Sequence, residues 1–322
     1  MKAENWDASL VIPTIGRVEE LRECLFSVFD QNLLPLEVIV VDASSDDGVE
    51  NLLKGLGPHS ERTGIEIIYL RSTEANVCVQ RNLGVDRARG RYVWFLDDDV
   101  VVRPDYLEIT KVTFDEYPEA AGVGGFINSD GLLDSSVKFL FQDLFLLNRH
   151  GAGAIQKSGY PSFPVGNEDD GAVRTRILGG CSCYRKNAIT EIGGFDEQLG
   201  VTKIWDDVDF TNRLSEESKL FYQPRAKLHH KKAPSGRMPT SSYIASYFYN
   251  HYYLFRRHVE AGPTNFALFL WSHLGTIFYL SILGLVKRDV FSGLKGVFVG
   301  NFWILKGIIF DWEPNYDDVG KK

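Results

Sequence analysis

The chain has 322 residues, 44% of them hydrophobic and 24% charged, which is enough apolar mass for a sizeable core in one large domain or two. Its formal net charge is −8, with 35 basic against 43 acidic residues, and that balance argues against a general nucleic-acid binder. The N-terminal Met1–Asp7 stretch lacks the apolar run of a signal peptide, and the four cysteines (Cys24, Cys78, Cys181, Cys183) have neither a zinc-knuckle nor a C-x-x-C spacing, so free thiols are expected.

Strand-like and helix-like segments alternate from the start. Leu10-Val11-Ile12 is a short apolar run ended by Pro13. Val18 to Phe29 follows with apolar residues at helical spacing. Glu37 to Asp42 is a β-branched strand, Val49 to Leu56 a short helix, Ile65 to Leu70 a strand and Val77 to Ala88 a helix. Arg91 to Leu96 is a fourth strand, and Asp97-Asp98-Asp99 stands at its end. This βαβαβαβ order predicts a mostly parallel sheet with helices on both faces. Such sheets bind ligands at the carboxyl ends of their strands, which places Pro13, Thr14, Asp42 and Asp97 on one rim.

Three adjacent carboxylates repel one another unless something positive neutralises them. A divalent cation does so, and Mg²⁺ or Mn²⁺ commonly bridges carboxylates to phosphates. Aspartates also fill turns and cap helices, so the triplet alone decides nothing. Asp206 to Glu217 reads as a helix whose Asp206-Asp207 start suits the positive helix N-terminus. The Gly- and Pro-rich stretch 148–176 reads as a long loop, the kind that serves as a lid or stays disordered.

The C-terminal part changes character. Tyr243 to His258 is packed with aromatic residues. Phe266 to Val286 carries no formal charge and, as a helix, would be about 30 Å long, close to one bilayer core. A second apolar stretch covers 293–312, interrupted by Lys295 and Lys306. Membrane association is expected, through a span or through helices lying in the interface. The alternative is a buried hairpin of core helices.

Six signatures occur in order: Val11-Ile12-Pro13-Thr14, Val41 to Gly48 (VDASSDDG), Gln80-Arg81-Asn82-Leu83-Gly84, Phe95 to Asp99 (FLDDD), Gly193 to Glu197 (GGFDE) and Trp205 to Asp209 (WDDVD). Together they resemble the family 2 glycosyltransferases, over about residues 8 to 232. The resemblance implies a GT-A (Rossmann-like) α/β fold over 1–235, followed by a hydrophobic, membrane-associated helical region over 236–322. It implies inverting sugar transfer from a nucleotide-diphosphate sugar to a glycan or lipid-linked acceptor, in surface polysaccharide synthesis at the cytoplasmic side of the cell membrane. By match to the family's motifs, Asp99 would ligate Mg²⁺ or Mn²⁺, and Asp97 would share the metal or hold the ribose. His230 would be a further ligand, with His229 as its rival. Pro13, Thr14, Arg17, Asp42, Ser44 and Asp98 would contact the nucleotide, and Arg81 the diphosphate. Asp207 aligns with the general base. The family's usual Glu is Asp206 here, which leaves Asp206 as a second candidate. Two other readings are a nucleotidyltransferase that makes a nucleotide-sugar and a non-catalytic membrane-anchored scaffold with the same fold.

Overall fold

The computed structural model describes residues 5–129, 136–147, 150–167, 170–233, 238–286 and 290–315. The first half runs β1 (Trp6–Thr14), α1 (Val18–Phe29), β2 (Pro35–Asp42), α2 (Gly48–Gly55), α3 (Gly57–Thr63), β3 (Glu66–Arg71), α4 (Val77–Arg87) and β4 (Tyr92–Phe95). Then come β5 (Val100–Val102), α5 (Tyr106–Glu116), β6 (Ala120–Ser129), α6 (Ser136–Leu144), β7 (His150–Gly151), β8 (Phe163–Pro164), β9 (Val173–Thr175) and β10 (Ser182–Arg185). The chain continues through α7 (Lys186–Glu191), α8 (Glu197–Thr202), α9 (Asp206–Glu217) and β11 (Lys219–His230). Three long helices follow: α10 (Thr240–His258), α11 (Pro263–Val286) and α12 (Val290–Phe310).

The main sheet has the order β3-β2-β1-β4-β10-β6-β11-β5, with β9 also paired to β11. The expected parallel block is β3-β2-β1-β4. Beyond it the sheet is mixed, because β10 runs antiparallel to both β4 and β6, and β5 antiparallel to β11. Strand alternation feeds two cores. Leu10, Ile12, Val38, Val40 and Trp94 point to one face, and Val11, Ile39, Val41, Val93 and Phe95 to the other. Helix α1 buries Leu21, Cys24, Leu25, Val28 and Phe29, a single 3.6-period stripe. Helix α4 is capped by Asn76, whose side chain accepts from the Cys78 and Val79 amides. It lies so close to β1 that a Cβ on Gly84 would fall 2.3 Å from Val11 Cγ1. All four cysteines are free and buried.

The stretch expected as a long loop is a packed one over its described residues. β7 pairs with β8, β9 joins the main sheet, and Ser158, Tyr160 and Ser162 are buried. Tyr160 and Ile177 belong to a cluster with Trp205 and Val208 of the α9 region, and Ile244, Tyr247 and Phe248 of α10. The loop read from the Gly/Pro composition is thus held against the body of the protein over its described residues.

Among the described residues, one helical segment, Phe291–Phe310, is long and apolar enough to cross a membrane. The uncharged 266–286 stretch runs past residue 281, beyond which its side chains lie outside the described ones. It carries Ser272, His273 and Thr276, which are buried against the protein.

Candidate active site

The carboxyl ends of β1, β2 and β4 meet on one rim. Thr14 is in register with Asp42, and Val11 with Phe95. Gln80 ties the first two ends together, its Nε2 donating to Thr14 O at 2.9 Å and to Val41 O at 2.7 Å. Asp42 is fully buried at the end of β2. Its Oδ1 accepts from the Ser44 amide at 2.8 Å and from the Ser44 hydroxyl, and its Oδ2 accepts from the Tyr69 hydroxyl at 3.1 Å. Ser44 Oγ also accepts from the Gly16 amide at 2.7 Å, which closes the Pro13–Gly16 turn onto the β2 end.

The three triplet carboxylates face different ways. Asp98 is buried and turned inward. It accepts from Thr14 Oγ1 at 2.7 Å and from Arg17 Nη1 at 2.8 Å. Burial pushes its pKa up to about 6, against the pull of Arg17 and Thr14. Asp99 is also buried, with Oδ1 2.9 Å from His230 Nε2 and Oδ2 accepting from the Ala233 amide at 2.9 Å. Burial alone would raise its pKa, but His230, Ala233 and Arg17 together hold it below the ordinary carboxylate value. The His230 imidazole is raised in turn, chiefly by its contact with Asp99. His230 lies opposite Val100 in the β5–β11 ladder and His229 opposite Val101, so their side chains take opposite faces. Asp97 is the most accessible of the three, with one oxygen 3.2 Å from Arg81 Nη2.

Arg81 is the hub of the site. Its buried guanidinium pairs with Asp97 and with Asp206 and lies over the Phe195 ring, 5.2 Å from the centroid. Burial opposes its charge, and Asp206 and Asp97 outweigh that opposition, so its pKa is raised. On the far side of Arg81 stands the start of α9. Trp205 takes a left-handed backbone conformation there, φ +62°, which costs about 1–2 kcal/mol for a non-glycine residue. Its ring is held against Tyr247, 4.6 Å between centroids, and against Tyr160. This tight turn sets out Asp206 toward Arg81, with Asp207 beside it facing Gly180.

Asp207 is half-buried, and its Oδ1 accepts from the Val208 amide at 2.9 Å. Desolvation, then the neighbouring Asp206 charge, push its pKa up to about 7, with Arg81 pulling it down. Gly180 forms the facing wall. A Cβ there would lie 2.9 Å from Arg81 Nη2 and 4.0 Å from Asp207 Oδ2, so a side chain would crowd both groups.

One atom each from Asp97, Asp99 and His230 lies within 4.8 Å of the others. Two carboxylate oxygens and an imidazole nitrogen suit Mn²⁺, and the carboxylates suit Mg²⁺. Among the described residues, Arg17, Arg81 and His230 form ion pairs with Asp97, Asp98, Asp99 and Asp206, and Asp207 adds a fifth carboxylate. That excess of negative charge fits a divalent cation.

Residues 9–189 match the family described as Glycosyl transferase family 2. The chain belongs to that family. It has a mixed α/β fold with a curled central sheet. It is 35% identical over 106 residues to TuaG of Bacillus subtilis (strain 168), a putative teichuronic acid biosynthesis glycosyltransferase; the match covers 32% of this chain and 41% of TuaG. It is 27% identical over 220 residues to the uncharacterized glycosyltransferase YwdF of the same organism, covering 68% of this chain and 72% of YwdF. The chain thus spans less than half the length of TuaG. In fold it is similar to S. aureus TarS 1–349 in complex with UDP-GlcNAc, with a TM-score of 0.57 and 14% identity over 90% of this chain and 78% of TarS 1–349.

The structure brings Thr14, Arg17, Asp42, Ser44, Arg81, Asp97, Asp98, Asp99, Asp206, Asp207 and His230 onto one rim, with Pro13 in β1 beside Thr14. Sequence reasoning passed over Gln80, Tyr69 and Gly180. Gln80 sat inside a recognised motif, and Gly179-Gly180 directly followed the apolar Ile177-Leu178. Tyr69 carried no signal beyond lying on a strand.

Proposed function

We propose that this glycosyltransferase transfers a sugar with inversion from a nucleotide-diphosphate sugar to a hydroxyl of a glycan or lipid-linked acceptor, at the cytoplasmic face of a membrane, in surface polysaccharide synthesis. The observation that carries the reading is a division of labour about Arg81. A three-ligand cluster stands on one side, and a separate carboxylate of raised pKa on the other. The bound UDP-GlcNAc of TarS and the teichuronic acid role in the name of TuaG support the donor and product classes.

In this reading Asp207 accepts the proton of the acceptor hydroxyl. The oxygen attacks the anomeric carbon from the face opposite the diphosphate, and the bond to the diphosphate breaks with its electron pair on the leaving oxygen. Asp97, Asp99 and His230 would hold Mg²⁺ or Mn²⁺, which supplies positive charge against the leaving diphosphate. Arg81 adds a fixed cation there, and Asp206 holds Arg81 in place. Asp42 and Ser44 at the end of β2 take the nucleoside side. Pro13, Thr14, Arg17 and Asp98 brace that wall, since Thr14 and Arg17 are bonded to Asp98.

The test is a panel of nucleotide-sugars with Mn²⁺ or Mg²⁺ and a lipid-linked acceptor, read as release of nucleoside diphosphate. One donor should turn over, and EDTA should stop it until metal is restored. Turnover of a nucleoside triphosphate with a sugar phosphate would replace this reading with nucleotidyl transfer. Full activity in EDTA would remove the metal role from Asp99.

A further inference from the structure

Deepening the membrane part of that reading, we propose that α6, α11 and α12 form an in-plane docking face for the headgroup–acyl boundary of an anionic bilayer. In this arrangement α11 and α12 lie along the surface and do not cross it.

Burial divides α11 along its length. Ser272, His273, Thr276 and Leu280 are buried, while Phe266, Leu270, Leu274 and Phe278 are exposed at four-residue spacing. The inner face makes protein hydrogen bonds, His273 Nε2 to Asn301 Oδ1 at 2.9 Å and Ser272 Oγ to Phe269 O at 3.0 Å. Helix α12 is divided in the same way. Its Gly296 and Gly300 press on α10 so closely that a Cβ would fall 2.6 Å from Ser241 O and 2.9 Å from Ala245 O, respectively. Outward stand Phe291, Leu294, Phe298, Phe302 and Leu305, from 52% to 91% exposed.

Helix α10, the support for both, belongs to the enzyme body. Asn250 Nδ2 donates to Thr202 Oγ1 at 2.7 Å and to Ile204 O, and Tyr247 packs on Trp205. If α12 crossed a bilayer it would have to abandon α10 or carry those polar side chains into hydrocarbon, where unsatisfied groups cost several kcal/mol each. Helix α6 extends the same face. Phe145 just after it stacks on Trp271 at 4.9 Å, Trp271 Nε1 donates to Leu144 O at 2.7 Å, and Leu140 and Leu144 remain exposed.

Two facts select a lipid surface as the occupant. A contiguous exposed apolar face over three helices is rare on a monomeric soluble protein. Residues 263–310 also carry four basic residues (Lys287, Arg288, Lys295, Lys306) against the single acidic Asp289, in a chain of net charge −8. That local reversal of sign complements anionic headgroups.

The full chain would carry Phe266→Cys, Leu270→Cys, Leu274→Cys or Phe278→Cys, each labelled with an environment-sensitive dye, on mixed phosphatidylcholine–phosphatidylglycerol vesicles. The chain should float with the vesicles, and all four labels should report one shallow depth, about 5–10 Å into the boundary. Along a spanning helix, positions 266 and 278 would be about 18 Å apart. Graded depths would therefore overturn the in-plane arrangement and leave membrane attachment standing. Labels that stay in water with no flotation would overturn both. Labels shielded without vesicles, in a species of twice the mass, would assign the face to a second copy and overturn the proposal. A Leu270→Glu/Phe298→Glu variant should lower vesicle partition by more than about tenfold with an unchanged Tm, because both side chains are exposed. Unchanged partition would also overturn it.

Discussion

In the proposed mechanism Asp207 takes the acceptor's proton, so it must be ionised and its environment sets the working pH. Burial and the Asp206 charge push its pKa up to about 7, while Arg81 pulls it down. The rate should therefore rise with pH through about 7 and then level off. Replacing Arg81 by Gln removes a cation that favours the ionised form, and the limb should move to higher pH. Asp206→Asn removes a like charge, and the limb should move to lower pH. The check is kcat/KM against pH with metal at saturation. A limb that ignores both substitutions would belong to another group. Asp207→Asn should lower kcat by about 10²–10⁴-fold, with the Kd for nucleotide-sugar unchanged. Adjacency in sequence did not reveal these differences among carboxylates. The triplet Asp97-Asp98-Asp99 reads as three like groups. Asp98 turns inward because Thr14 and Arg17, 84 and 81 positions away, meet it there. Asp99 turns to His230, which arrives on the last long strand. Residue type and strand ends were legible; the partners come from distant segments.

At the level of elements, helix α9 presents Asp207 only as well as it is held. Its anchor is Asp209, fully buried, with Arg213 Nε at 2.9 Å, His258 Nε2 at 2.8 Å and Arg257 Nε at 3.4 Å. Burial would raise the Asp209 pKa, but these partners outweigh it and hold it below the ordinary value of 3.8. A depressed carboxylate stabilises the fold fully above that ordinary value. The contribution is lost as pH falls through the lower folded value. Asp209→Asn should therefore destabilise the chain at pH 7 by about 3–5 kcal/mol, the cost of leaving buried charges unpaired. The difference from the parent chain should shrink below about pH 4, where unfolded-state Asp is also protonated. Denaturant unfolding at both pH values measures this; an equal difference at both would assign the loss to packing. Asp209 stood inside a recognised motif, yet two of its partners, Arg257 and His258, lie at the end of α10, a segment marked mainly by its aromatic residues. Elements with strong local periodicity, such as α1 and α9, emerge at the expected residues. The antiparallel returns of β5 and β10 did not emerge, since pairing direction depends on contacts between remote strands. The 148–176 stretch is largely loop over its described residues, as its Gly and Pro content predicts, but Tyr160 is captured by the cluster of α9 and α10.

For the whole molecule, the question is whether the sheet-bearing part and the C-terminal helices fold apart. Composition changes abruptly near residue 235, which suggests a domain boundary. The packing crosses it. Tyr160, Ile177, Trp205 and Val208 share one apolar cluster with Ile244, Tyr247, Phe248 and Leu254 of α10. His251 Nε2 contacts Ser158 O at 2.8 Å, and Tyr253 Oη donates to Asp196 Oδ2 at 2.6 Å. A chain ending at residue 235 would expose that cluster and free the turn at Trp205, whose left-handed backbone depends on the Tyr247 ring. Uncovering several large side chains at about 1.5–3 kcal/mol each approaches the net stability of a typical domain, about 5–15 kcal/mol. The shortened chain should therefore show a much lower Tm, bind a hydrophobic dye, and lose transfer to added acceptor more completely than donor binding, because the proposed nucleoside side stands at the ends of β1 and β2. Outward changes such as Phe298→Ser and Phe302→Ser should leave Tm nearly unaltered, since those side chains are largely exposed. A 1–235 chain with the Tm and transfer rate of the full chain would show two independent units, and the helices would then serve only for attachment. The interlocked core predicts the opposite: the proposed membrane face and the helix that carries the proposed base are parts of one folded body.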